Sequence, residues 1–298
     1  MKNIRAFTPV FTGYAVNALV NARPNYENKP PQPNEKRATT MSEPIWNKFL
    51  TERDKAVFAQ SGYAARGGFG KRPALLVIDV NYAFCDERPM PILESIKRWR
   101  NSCGEDAWVA MPYLKSLIEK CHDKGVPVIY TTGVRREDNW DSGSWLWKNG
   151  RSDEDAQAKP ATNVDGNEIV AEIAPGPKDI VVLKQKPSGF FGTNMASYLT
   201  LLGCDSVIVT GTTTSGCVRA TVLDAFSLNY RIALAEEGCF DRSQASHAIN
   251  LCDMNAKYAD VVKTSEVLTF FDSLPGGMFD LPKGSAAPAP KPKMAANF

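Results

Sequence analysis

The chain has 298 residues, 23% of them charged and 43% hydrophobic, with a formal net charge of +2. That is globular composition, enough for one large α/β domain or two small ones, and the near-neutral charge argues against a nucleic-acid groove or a membrane-surface helix. No apolar run approaches the roughly 20 residues that a membrane span needs.

Residues 1–40 carry six basic and two acidic residues and end in a Pro/Asn/Lys-rich stretch. No secretory h-region is present. Residues 1–45 are therefore expected to be a disordered or targeting-like extension, or a stretch upstream of a more natural start at Met41. Residues 46–282 form the expected domain, and 283–298 (KGSAAPAPKPKMAANF) a Pro/Ala/Lys-rich flexible tail.

Within the domain strands and helices alternate. PALLVIDV (73–80) has the apolar continuity of a fully buried strand. WVAMPYLKSLIEKCHDKG has helical spacing at Val109, Leu114, Leu117, Ile118 and Cys121, and closes on a glycine. VPVIYTTG (126–133) and DIVVLKQK (179–186) are further strands, separated by a long Gly/Asp/Trp-rich loop (134–178) of the kind used as a lid or binding loop. TNMASYLTLLG is a helix, capped by Thr193 or Asn194 and stopped by Gly203. Then follow a strand (206–211), a helix (SGCVRATVLDAFSLNY), a strand (231–238), a helix (SQASHAINLCDMNAKYA), a short strand (260–264) and SEVLTFFDSL. Near-continuous β-branched runs separated by helices predict a single doubly wound α/β domain with a mostly parallel six-stranded sheet and helices on both faces.

In such a sheet the ligand crevice lies at the carboxyl ends of the strands. The polar residues there are Asp79 after the first strand, Lys184 on the third, and Cys217 in GTTTSGC after the fourth. An acid, an amine and a thiol on one rim suit nucleophilic catalysis. A helix N-terminus and a nearby ammonium are expected to lower the thiol pKa from about 8.5 toward neutrality. Asp79 would take the thiol proton, and the Gly/Thr-rich turn would offer backbone N–H groups to an oxyanion. Read singly, each residue has a plain alternative: Asp79 as a turn cap, Lys184 as a strand flank, Cys217 as one of seven scattered cysteines. The odd cysteine count without CxxC pairs fits reduced thiols in a cytoplasmic protein. The two histidines, His122 and His247, lie far apart, against a His-rich metal site.

IDVNYAF, VVLKQKPSGFFGTN and VTGTTTSGCVRATVLDA, at these separations, resemble the isochorismatase-like cysteine hydrolases, most closely their N-carbamoylsarcosine amidohydrolase branch. The likeness spans roughly residues 62–282 and includes the EEGCFDR segment. It implies an isochorismatase-like hydrolase fold and an Asp79–Lys184–Cys217 triad that cleaves linear amide C–N bonds through a thioester-type intermediate. It further implies an oxyanion hole from the backbone amides of Thr213 and Cys217, with a cis Thr212–Thr213 peptide and Thr212 lining the substrate site. Arg242 would hold a substrate carboxylate, with Arg219 as the competing anchor. Phe84, Trp145 and Trp147 would either wall the pocket or form subunit contacts. The segment NYAFCDERPMPILESIKRW lacks the histidine of the metal site in related nicotinamidases, so no metal and no cofactor are expected. The implied substrate is a small carbamoyl or carboxamide acid, N-carbamoylsarcosine first and a maleamate-type amide acid second; the implied assembly is a homotetramer. A non-catalytic binding protein or a redox sensor using Cys217 are the readings from other classes.

Overall fold

The computed structural model describes residues 43–136, 138–149 and 164–284. The expectations for the N-terminal extension up to residue 42, for residues 150–163 of the long loop, and for the tail from residue 285 lie outside the described residues.

In chain order the elements are α1 (Glu52–Ser61), β1 (Pro73–Ile78), α2 (Tyr82–Cys85), α3 (Ile92–Arg98), α4 (Glu105–Lys124), β2 (Val128–Gly133), α5 (Ser144–Asn149), β3 (Ile180–Lys184), α6 (Met195–Leu201), β4 (Ser206–Thr212), α7 (Arg219–Ser227), β5 (Arg231–Phe240), α8 (Gln244–Lys257), β6 (Asp260–Val262) and α9 (Thr264–Ser273). The six strands lie in the order β3-β2-β1-β4-β5-β6 and every neighbouring pair is parallel. The chain winds outward from β1 through β2 to β3, then returns to the other side of β1 with β4. That reversal opens a crevice between β1 and β4 at their carboxyl ends.

Side chains alternate across each strand, so β1 feeds two cores. Leu75 and Val77 pack under α4 and α9, with Leu114, Leu117, Val267 and Phe271. Ala74, Leu76 and Ile78 face the opposite layer, with Met195 and Leu199 of α6, Val222 of α7 and Leu251 of α8. Burial on both faces is why PALLVI reads as an unbroken apolar run.

The structure departs from the sequence reading in several places. Val109, expected on the buried face of α4, is 66% exposed; that face is formed by Ala107, Ala110, Met111, Leu114, Leu117, Ile118 and Cys121. The helix turns by about 100° per residue, and Val109 falls off the stripe that Ala110 and Leu114 define. Helices α1, α2, α3 and α5 form where the sequence pattern predicts no helix. α1 is polar and buries none of its residues, but Thr51 and Asp54 close a capping box at its start. β5 runs on to Phe240, past the expected end at 238, because its register shifts where it pairs with Val209 and Gly211. Among the described residues no helix is long and apolar enough to cross a membrane.

Candidate active site

Asp79 follows β1 and is 3% exposed; Lys184 ends β3 and is 6% exposed; Cys217 lies in the turn after β4. The Lys184 ammonium brings the three together. Its Nζ lies 2.8 Å from Asp79 Oδ2, donates to Cys217 Sγ at 3.5 Å, and donates to the Lys186 carbonyl at 3.1 Å. An ammonium has three N–H donors, and here all three have acceptors. β3 lies two strands from β1, about 10 Å away, so only a long stem carries a charge from one to the other.

The other Asp79 oxygen accepts from Thr131 Oγ1 at 2.7 Å. Thr131 lies in β2 opposite Ile78 at the end of β1, and its hydroxyl and carbonyl both receive the Asp79 N–H. Asp79 holds φ at +52°, a region aspartate tolerates better than most residues and one that turns its carboxylate off the strand line. Thr131 was not singled out from the sequence; its signal was a threonine pair closing the otherwise apolar strand VIYTT.

The turn that holds Cys217 differs from the regular helix start expected. The Thr213 carbonyl accepts from Gly216 N at 2.9 Å and from Val218 N at 3.2 Å, so a single wide turn precedes α7. The Thr212–Thr213 peptide is cis. Gly211 has φ +97°, and a Cβ there would overlap the Ile78 backbone. A Cβ on Gly216 would sit 2.5 Å from Thr213 Oγ1. Those two approaches account for the glycines of GTTTSGC. Thr221, which the sequence reading passed over, donates from Oγ1 to the Cys217 carbonyl at 2.7 Å and accepts from Gly189 N at 2.9 Å. It thereby ties the nucleophile turn to the segment after Lys184.

The electrostatics correct one expectation. The Cys217 residue is partly exposed, but burial of the thiol and the facing Asp79 carboxylate push its pKa up to about 12, and Lys184 recovers only part of that. Burial thus favours the neutral thiol over the thiolate, beside the Asp79–Lys184 pair. Burial works against the Lys184 charge, yet Asp79 and Cys217 together hold its pKa above the ordinary lysine value. Thiol and carboxylate thus face each other at one ammonium, the arrangement general-base activation requires.

The remaining candidates divide. Arg242 follows β5, is exposed, and donates from Nη2 to the Asn101 carbonyl at 2.8 Å. Its charge reaches Cys103, whose Sγ lies 3.4 Å from Thr212 Oγ1, so Arg242 and Thr212 flank the same thiol. Arg219 is occupied on α8, by Asn250 Oδ1 at 2.6 Å and Asp253 Oδ2 at 3.6 Å. Thr212 and Thr213 are both buried in the turn. Trp145 donates from Nε1 to the Gln185 carbonyl at 3.0 Å and brings α5 onto the lysine segment. Trp147, two residues on, is 78% exposed among the described residues. Phe84 is partly buried and packs against the core under α4.

Residues 73–266 match the family model of the isochorismatase domain. N-carbamoylsarcosine amidase of an Arthrobacter species is 32% identical over 252 residues, covering 83% of this chain and 89% of that protein. Maleamate amidohydrolase of Pseudomonas putida is 29% identical over 223 residues, covering 73% of this chain and 95% of that one. Among solved structures, N-carbamoylsarcosine amidase from Thermoplasma acidophilum is 26% identical with a TM-score of 0.50, covering 65% of this chain and 96% of that chain. The matched region begins at β1 and ends in α9, so it holds every strand and all three residues that meet at Lys184. The chain belongs to the isochorismatase domain family and is a hydrolase of that family.

Proposed function

We propose that this hydrolase cleaves the terminal C–N bond of a small carboxylate-bearing carbamoyl or carboxamide compound, with Cys217 as nucleophile, Asp79 as proton shuttle and Lys184 as their charge partner. The observation that carries the reading is the Lys184 ammonium, 2.8 Å from Asp79 and 3.5 Å from Cys217. As the sulfur attacks the carbonyl carbon, the thiol proton passes to Asp79 and the carbonyl oxygen becomes an oxyanion. Lys184 steadies the sulfur's developing negative charge during the transfer. The backbone amides of Thr213 and Cys217 receive the oxyanion, where one such donor is worth about 3 kcal/mol. Collapse expels the amine with the proton from Asp79 and leaves an acyl group on sulfur. Water, deprotonated by Asp79, attacks that group; the C–S bond breaks, and the proton returns to the thiol.

Arg242 is the anchor we assign to the substrate carboxylate, a planar fork matched to a planar anion. Arg219 has its guanidinium engaged on α8, which supports Arg242 over it. Trp145, held against the lysine segment, walls the site beside Thr212; Phe84 and Trp147 complete the wall in the same proposal. N-carbamoylsarcosine, giving sarcosine, carbon dioxide and ammonia, is the first substrate to test, supported by the 32% identity to the Arthrobacter amidase. A maleamate-type amide acid is the second, supported by the Pseudomonas relative. Ammonia release across a panel of carbamoyl amino acids and small amide acids is the test, with Cys217→Ala as control. Release that depends on Cys217 for at least one acid is expected; turnover surviving the substitution would end the proposal.

A further inference from the structure

One buried carboxylate outside the triad holds both the turn before Cys217 and the backbone of the exposed Arg242. Asp241 follows β5 and is 4% exposed. Its Oδ2 accepts from Ser215 N at 2.8 Å and from Ser215 Oγ at 2.6 Å. Its Oδ1 accepts from Arg242 N at 2.8 Å. Ser215 lies two residues before Cys217 in the wide turn, and Arg242 is the proposed carboxylate anchor. Beside this clamp Thr214 Oγ1 lies 3.2 Å from the Phe240 carbonyl and 2.7 Å from His247 Nδ1, so consecutive turn residues are tied to the end of β5 and to α8.

We propose that Asp241 is a shared positioning residue, whose two oxygens fix the nucleophile turn and the carboxylate anchor relative to one another. It touches no reacting atom. Its effect on the chemistry runs through Ser215 to the amides of the turn, and its effect on substrate binding runs through the Arg242 backbone. The spacing between the attacked carbonyl and the substrate carboxylate is then set by a single side chain. That makes the site select acids in which the two groups stand a fixed distance apart. Charge-assisted hydrogen bonds of this length are the strong ones, and a shift of about 1 Å in a catalytic group costs about a hundredfold in rate.

The inference rests on the proposed function, and the test separates the two. Steady-state kinetics of ammonia release are measured with the best acid of the panel and with its neutral methyl ester, for wild type, Asp241→Asn and Ser215→Ala, per folded molecule. Asp241→Asn is expected to lower kcat by about 10- to 100-fold and to raise KM for the acid by about 10-fold while leaving KM for the ester unchanged. Ser215→Ala removes one hydroxyl donor and keeps the Arg242 contact; kcat is expected to fall by about 3- to 10-fold with KM for both compounds kept. If Asp241→Asn does not fold, Ser215→Ala still decides, because an unchanged kcat there overturns the coupling. Equal losses for acid and ester in KM, or a lower melting temperature with both constants kept, overturn it as well. Turnover that survives Cys217→Ala instead brings down the parent reading and this inference with it.

Discussion

Replacing Asp79 with asparagine separates the acidity of Cys217 from its usefulness. In the intact site the Asp79 carboxylate is the second contributor, after burial, that pushes the thiol up to about 12, while Lys184 pulls the other way. At 3.5 Å from Sγ the Lys184 charge is worth about 5 kcal/mol at an effective dielectric of about 20, or about 3.5 pKa units, a pull that the value of about 12 already contains. Asp79→Asn removes the opposing charge and the carboxylate that Lys184 holds at 2.8 Å, leaving the ammonium with the sulfur and the Lys186 carbonyl. Removing a neighbouring like charge is worth about 1 to 2 pKa units, so the Cys217 thiol should become more acidic and its iodoacetamide labelling at pH 8 should rise by about 10- to 100-fold. Turnover should fall by about a hundredfold or more, since no group remains to take the thiol proton and return it to the leaving amine. The assay pairs ammonia release with time-resolved peptide mapping of the Cys217 adduct. Labelling that drops together with turnover would refute the assignment of Asp79 as base and of its charge as the restraint on the thiol.

Arg242→Ala should raise KM for the acid substrate by about 10- to 100-fold, the worth of a charge-assisted contact, and leave KM for a neutral amide within about twofold. Kinetics on the paired substrates check this. Gly211→Ala should fail to give folded protein, because the added Cβ meets the Ile78 backbone and φ is +97°; a soluble variant with the wild-type melting temperature would contradict it. Stability should fall steeply above pH 9. Burial lifts Cys103, Cys204 and Cys217 to about 12 in the folded chain, from the ordinary thiol value of 9.0. Groups with raised pKa stabilise the fold below the unfolded value and lose that contribution as pH climbs toward the folded one. Each thiol approaches about 1.4 kcal/mol per pH unit in that window, so the three together approach about 4. A melting temperature flat from pH 8 to pH 10.5 would contradict the burial of these thiols.

Much of the fold is legible because parallel strands must be apolar on both faces: PALLVI, VIYT and SVIVT announce themselves without structural help. The rim follows from the same fact, since every strand of a parallel sheet ends on one side, and Asp79, Lys184 and Cys217 are the polar residues at those ends. Illegible elements are those whose stability comes from caps and packing rather than pattern, such as α1 with its polar sequence and its Thr51–Asp54 box. Thr131, Thr221, Ser215 and Asp241 escape for a different reason. Their work is hydrogen bonding across the chain, between residues 26 to 52 positions apart, and nothing in local spacing encodes it. The direction of the thiol shift is not legible, because a cation is visible in the sequence whereas the burial that outweighs it is a property of three dimensions.

Acid-quenching the enzyme during turnover and mapping the Cys217 peptide by mass spectrometry tests the covalent mechanism most directly. The account predicts that this peptide alone carries the substrate-derived acyl group, in an amount that rises to a plateau and disappears when substrate is exhausted. Steady turnover with an unmodified Cys217 at every quench time, in an enzyme whose Cys217→Ala variant still releases ammonia, would contradict it.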